Sequence, residues 1–154
     1  MKKFTKRGII AGAAMLLAVA GSLVGGVAPA QAYTGSDPLA SGCAADAYTV
    51  ASWGVYNSKY GQYQGTVELR ASPSCGTNWA RVTSTVPGNR VFAGIQVVNG
   101  AYGGESAGRA AYDVSTTWTD MVYAPGHTCV NVYAYIIDNA TNAAEGELPN
   151  QRVC

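Results

Sequence analysis

Four cysteines, Cys43, Cys75, Cys129 and Cys154, are spread along the chain with no two closer than 25 positions. Metal-binding cysteines come in close pairs of the C-x-x-C kind, and the single histidine, His127, cannot complete a cluster. No metal and no cofactor is therefore expected. An even set of distant cysteines points instead to two disulfides, which require an oxidising compartment. Four cysteines allow three connectivities. Cys43–Cys75 with Cys129–Cys154 is preferred, because the last residue of a chain frays unless something holds it. The two crosslinks would close loops of 32 and 25 residues. In the chain-entropy picture each would contribute about 3.5 kcal/mol.

The N-terminus agrees with export. Lys2, Lys3, Lys6 and Arg7 precede the uncharged run "GIIAGAAMLLAVAGSLVGGV", and "APAQA" offers small residues at Ala30 and Ala32. A basic segment, an apolar segment and an A-x-A site make a secretory signal peptide. Residues 1–32 are expected to be removed by cleavage after Ala32, leaving one secreted domain, residues 33–154, with no membrane attachment. Pro29 and the many Gly and Ala residues argue against a retained anchor. There is no Arg-Arg pair for a twin-arginine route, and Cys43 is too distant from the apolar run for a lipoprotein.

Removing the leader changes the charge. The whole chain has 10 basic and 9 acidic residues; four basic ones lie in the leader, which leaves 6 against 9, a net −3. Lys59 is then the only lysine, and Arg70, Arg81, Arg90, Arg109 and Arg152 are scattered rather than gathered in a stripe. Nucleic acid is not an expected partner.

Beyond Ala47 the chain alternates short runs rich in Val, Tyr, Trp and Thr with Gly, Pro and Asn, and no segment keeps a helical period. Seven strand-like runs stand out: 47–56, 65–71, 78–86, 90–98, 109–115, 117–124 and 128–138. "GTVELRA" sets Val67, Leu69 and Ala71 on one face against Glu68 and Arg70 on the other. This spacing predicts an all-β fold, an antiparallel sandwich or small barrel of about seven strands, monomeric. Residues 139–151 are expected to be an irregular tail tied back by Cys154.

"SPSCGTNWARV" raises the question of a reactive thiol. It places Cys75 in a turn between two strands, in reach of Cys43. An oxidised sulfur is no nucleophile, so a stapled turn is the expectation. "ELRASPSCGTNWARV" together with "TTWTDMVYAPG" resembles the YjfA-type family of small exported proteins from Gram-positive bacteria, especially actinomycetes, a domain of unknown function. The resemblance covers nearly all of the mature chain. It implies an exported domain with paired cysteines and carries over no catalytic residue. Related domains joined to helix-turn-helix segments in sensor-like proteins lean it toward recognition.

Two constellations compete for function. "GESAG", Gly104 to Gly108, fits the G-x-S-x-G nucleophile elbow, and Asp113, Asp120 and His127 come after Ser106 in the order used by α/β-hydrolases. That elbow needs a strand before the serine and a helix after it, whereas "RAAYDVSTTWTDMVYA" is strand-like, and 122 residues are too few for the surrounding sheet and helices. A small serine hydrolase using Ser106, Asp120 and His127 is the alternative reading. The preferred one is binding. "NGAYGGESAG" is a long connection on a rigid scaffold, offering Tyr102 and Glu105 for contact. "WGVYNSKYGQYQG" offers Tyr60 and Tyr63, whose apolar faces and polar tips suit sugars or proteins. Trp53, Trp79 and Trp118 are expected in the core. The chain thus reads as a secreted, disulfide-stabilised binding domain. Its partner would be an extracellular protein or a wall polysaccharide, with an enzyme inhibitor as a special case.

Overall fold

A computed structural model describes residues 33–86, 88–139 and 144–154. The leader and its cleavage site lie outside these residues. Among the described residues nine strands come after a 3-10 turn at Cys43–Asp46: β1 (Tyr48–Asn57), β2 (Tyr63–Ser72), β3 (Thr77–Ser84), β4 (Arg90–Val97), β5 (Ser106–Tyr112), β6 (Thr116–Trp118), β7 (Val122–Tyr123), β8 (Val130–Ile137) and β9 (Ala144–Val153). They form one antiparallel sheet in the order β5-β4-β8-β9-β1-β2-β3-β6, with β7 also on β3, curled into a nearly closed barrel. Between sandwich and barrel, the chain forms the barrel. No helix among the described residues is long and apolar enough to cross a membrane.

The strand count departs from the expected seven in two places. The run 117–124 is split into β6 and β7. The backbone of Thr119 pairs with Ala80 O while its hydroxyl accepts from Ala80 N–H (3.2 Å), and Met121 pairs instead with Gly35 and Ser36. The tail expected to be irregular carries β9. Its Asn, Gly and Pro residues discourage a strand locally, but β8 offers an unpaired edge, and buried backbone groups must find partners. β9 supplies them from Val130↔Val153 to Ile137↔Ala144.

Period-two patterning builds the interior. Val130, Val132, Ala134 and Ile136 of β8 are all buried, as are Val67 and Leu69 of β2 and Val91, Ala93, Ile95 and Val97 of β4. Burying a side chain of this size stabilises by roughly 1.5–3 kcal/mol. Gly65 sits where β2 bends past β3; a Cβ there would strike the carbonyl oxygen of Thr83 and the Cα of Ser84. Trp53 packs against this interior, but Trp79 does not. Trp79 points outward and forms a second cluster with Cys43, Cys75 and Met121, which Tyr33, Ala44 and Trp118 cover. The N-terminal segment is thus laid over the outside of β3.

Both expected crosslinks are present, Cys43–Cys75 and Cys129–Cys154. The first pins the N-terminal segment to the turn between β2 and β3. The second ties the end of β9 to the start of β8.

The barrel's last seam, between β5 and β6–β7, has no backbone ladder. Side chains bridge it. Arg109 of β5 reaches Asp120 (2.7 Å) and Asp37 (3.3 Å), and Trp118 Nε1 donates to Asp37 Oδ2 (2.9 Å). Tyr102 stacks edge-on against Tyr123 (4.7 Å), whose N–H donates to Glu105 Oε2 (3.3 Å). Burial alone would raise the Asp37 carboxyl. The Trp118 indole, the N–H groups of Ala40 and Leu39 and the Arg109 guanidinium outweigh it and hold the group below its ordinary value.

Candidate functional site

At the end of the barrel where β1 begins and β9 ends, the wall stays open. β1 pairs with β2 over its length, but with β9 only at Tyr56↔Glu147 and Asn57↔Gly146. Among the described residues, Tyr48 to Val55 have no strand on their second edge. The cause lies in β9. Leu148 faces Ala134 and Gln151 faces Val132, so Pro149 and Asn150 together oppose one residue of β8. Such a bulge bends the strand, and Pro149 brings no N–H for a ladder. β1 carries its own irregularity between Thr49 and Ala51, with Val50 as the extra residue.

A cleft of about 430 Å³ opens beside this gap. Its walls are Tyr48 and Val50 of β1, Leu69 and Ala71 of β2, Val130 of β8 and Val153 of β9, with Ser72, Thr77, Asn78 and Thr128 also lining it. The two disulfides brace this end. Cys154 is part of the cleft wall, and the Cys75 turn supplies Ser72, Pro73 and Gly76. That turn is held further by Asp46, which accepts from the Ser72 hydroxyl (2.6 Å) and the Ser74 N–H (2.9 Å). Those same bonds, the Ser72 hydroxyl first, keep the Asp46 carboxyl below its ordinary value.

The two edges of the gap differ in kind. Exposed strand edges are usually blunted by charge, proline or bulges, because an open row of N–H and C=O groups recruits other chains. β9 has Glu147, Pro149 and Arg152. β1, "YTVASWGVYN", has no charge in ten residues, and it exposes Tyr48 (53%) and Val50 (40%). One edge is guarded and the other is not.

The residues expected from the sequence are dispersed. Tyr60 (66% exposed) and Tyr63 (48%) are accessible at the hairpin from β1 to β2, at the far end of the barrel from the cleft. Asn57 Oδ1 accepts from Lys59 N–H (2.9 Å) and Tyr60 N–H (3.0 Å) and so shapes that tip; Lys59 lies over the Tyr60 ring (4.9 Å). Tyr63 shares a hydrogen bond with the Thr66 hydroxyl and packs edge-on to Tyr56. Tyr102 and Glu105 are engaged in the seam. Ser106 begins a strand, so "GESAG" leads into β5 and makes no strand-to-helix elbow. Alternation along β5 exposes Ser106 while Ala107 and Arg109 share the other face. Asp120, held by Arg109, therefore belongs to the face opposite Ser106. His127 is exposed in the turn before β8, and no hydrogen bond joins it to Ser106 or Asp120. Sequence reasoning passed over Tyr48, Val50 and Pro149; the signal available was the absence of charge from 48–57.

The family described as protein of unknown function (DUF2690) matches residues 31–133, more than half of the chain. The chain is a member of the DUF2690 family. No curated protein and no solved structure matches it. Within the DUF2690 match lie β1, β2, β3 and the Cys43–Cys75 crosslink, whereas the second half of β8, all of β9 and Cys154 lie beyond it. The open edge of β1 thus belongs to the part that the DUF2690 family defines.

Proposed function

We propose that this DUF2690 domain is an exported binding module that takes an extended polypeptide segment as an added strand along β1. The supporting observation is the early end of the β1–β9 pairing, which leaves the uncharged edge Tyr48–Gly54 open beside a cleft with both aliphatic and polar walls. A row of backbone donors and acceptors at two-residue spacing is matched by another peptide backbone. Alternate side chains of that strand would enter the cleft and give selectivity. The disulfides fit this role, since a braced edge loses less freedom on binding. The basic and apolar N-terminus, and the resemblance to small exported proteins, support secretion after cleavage at Ala32.

The test uses residues 33–154 made in an oxidising compartment and a displayed library of random decapeptides. Enriched peptides with alternating apolar residues should slow hydrogen exchange at alternate amides of Tyr48–Gly54, and Val50→Lys should abolish binding without unfolding. Peptides that protect only other strands, or a library that yields no binder, would sink the proposal. So would β1–β1 self-association that excludes peptides. A protease inhibitor remains the special case in which the added strand is an enzyme's substrate loop; subtilisin and trypsin assays address it. A second reading rests on the exposure of Tyr56, Tyr60 and Tyr63, which suits stacking on a wall polymer. It predicts retention on insoluble peptidoglycan that Tyr60→Ala and Tyr63→Ala weaken.

A further inference from the structure

The outward face of β2, β3 and β6 carries a cleft of its own. Antiparallel register sets Arg70 opposite Trp79 and Arg81 opposite Trp118. These four side chains, with Thr116 and the overlying Leu39, line a space of about 240 Å³. It is distinct from the mouth: Leu69 and Ala71 face that end, and Arg70 between them points to the other side of the sheet.

The two guanidiniums are held differently. Arg81 is paired with Glu68, Nε to Oε2 at 2.6 Å. Arg70 is oriented by neutral oxygens, the Thr49 hydroxyl (2.5 Å) and the Ala47 carbonyl (3.0 Å). Among the described residues no carboxylate lies within ion-pair distance of it. A guanidinium has five N–H donors, and Arg70 uses two of its own in these bonds. It is therefore a fixed cation with donors to spare, beside a second cation, in a space walled by indole and aliphatic carbon. Trp118 is fixed in turn by its bond to Asp37.

We infer that this cleft is a binding site for a single carboxylate-bearing sugar ring, of the uronic-acid class, within or at the end of a wall polysaccharide. Each part of that ligand has a counterpart. The carboxylate meets Arg70, bidentate pairing being the geometry guanidinium favours. The C–H face of the ring lies against Trp118 and Leu39, and ring hydroxyls meet Thr116. The volume is below the roughly 300–1,000 Å³ of sites for larger ligands, which suits one ring. Sugar binding here is independent of strand addition at β1, and either can fail alone.

The experiment tracks the Trp118 indole N–H resonance of residues 33–154 during titration with digalacturonate and, separately, with neutral digalactose. Digalacturonate should shift it saturably and digalactose should not. Arg70→Gln should weaken binding by roughly tenfold or more, the worth of a charge-assisted hydrogen bond. Thr116→Glu, which puts a negative charge on the rim without touching Arg70, should weaken it as well and covers the case in which Arg70→Gln fails to fold. Three results would overturn the inference: no shift at 10 mM digalacturonate, an equal shift with digalactose, or stronger binding of benzoate than of digalacturonate.

Discussion

The Arg109 guanidinium lies 2.7 Å from Asp120 and 3.3 Å from Asp37, and so spans the seam between β5 and β6–β7, where no backbone ladder forms. A single side chain joins β5, the segment between β6 and β7, and the N-terminal strap. Both pairs are partly exposed to water, which limits their strength.

Arg109→Met should cost about 1–2 kcal/mol, the sum of two half-exposed pairs and a lost packing stem. Arg109→Lys should recover less than half, since an ammonium cannot fork to two carboxylates. Urea midpoints of the variants measure this. Midpoints that do not move would mean that Tyr102 and Tyr123 hold the seam unaided.

The same cluster sets an acid limit. Asp37 has its folded-state carboxyl below the ordinary 3.8, so the native state binds its proton more weakly than the unfolded chain does. Stability from this group is fully present above that value and is lost as pH falls through the folded one. Asp37→Asn should flatten the loss of stability below pH 3.8 compared with the parent. Parallel slopes in the two proteins would contradict the assignment.

Replacing Cys43 and Cys75 together by Ala should cost about 3.5 kcal/mol and loosen the strap over Trp79. The Cys129→Ala, Cys154→Ala pair should cost a similar amount in global unfolding. It should also speed amide exchange locally at the end of β9, next to the mouth. Equal exchange in the two double variants would show that the second crosslink does not secure that strand.

Gly65→Ala should be among the most damaging small changes, at about 2–3 kcal/mol, because the added carbon meets backbone atoms of Thr83 and Ser84 that cannot step aside. Gly94→Ala first meets the ring of Tyr133, a side chain that can move, and should cost less. Thermal melts of the two variants decide the order.

Much of the fold was legible from local pattern. Val67, Leu69, Val130, Val132, Ala134 and Ile136 announced buried strand faces by their two-residue spacing, and Cys154 at the chain end announced its own crosslink. The site was less legible. "GESAG" looked like an elbow because a short glycine motif does not say whether a helix or a strand comes after it, and here the strand β5 does. Tyr102 and Glu105 looked like loop contacts, but they turned inward to the seam, where Tyr123 is 21 and 18 positions away in sequence. Trp79 was expected in the core by its size and is buried, but its position along β3 puts it in the second cluster, on the outer face of the sheet under the N-terminal strap.

Sequence by itself determined the all-β class, the number of crosslinks though not their pairing, and which face of each central strand is wet, because these depend on neighbours two residues apart or on an even cysteine count. The structure alone decided that the sheet curls into a barrel, that residues 144–153 complete it, and that β1 keeps an open edge. Those outcomes depend on which distant backbone groups remain unpaired once the rest of the chain has packed. A bulge at Pro149 is enough to leave one row of them without a partner.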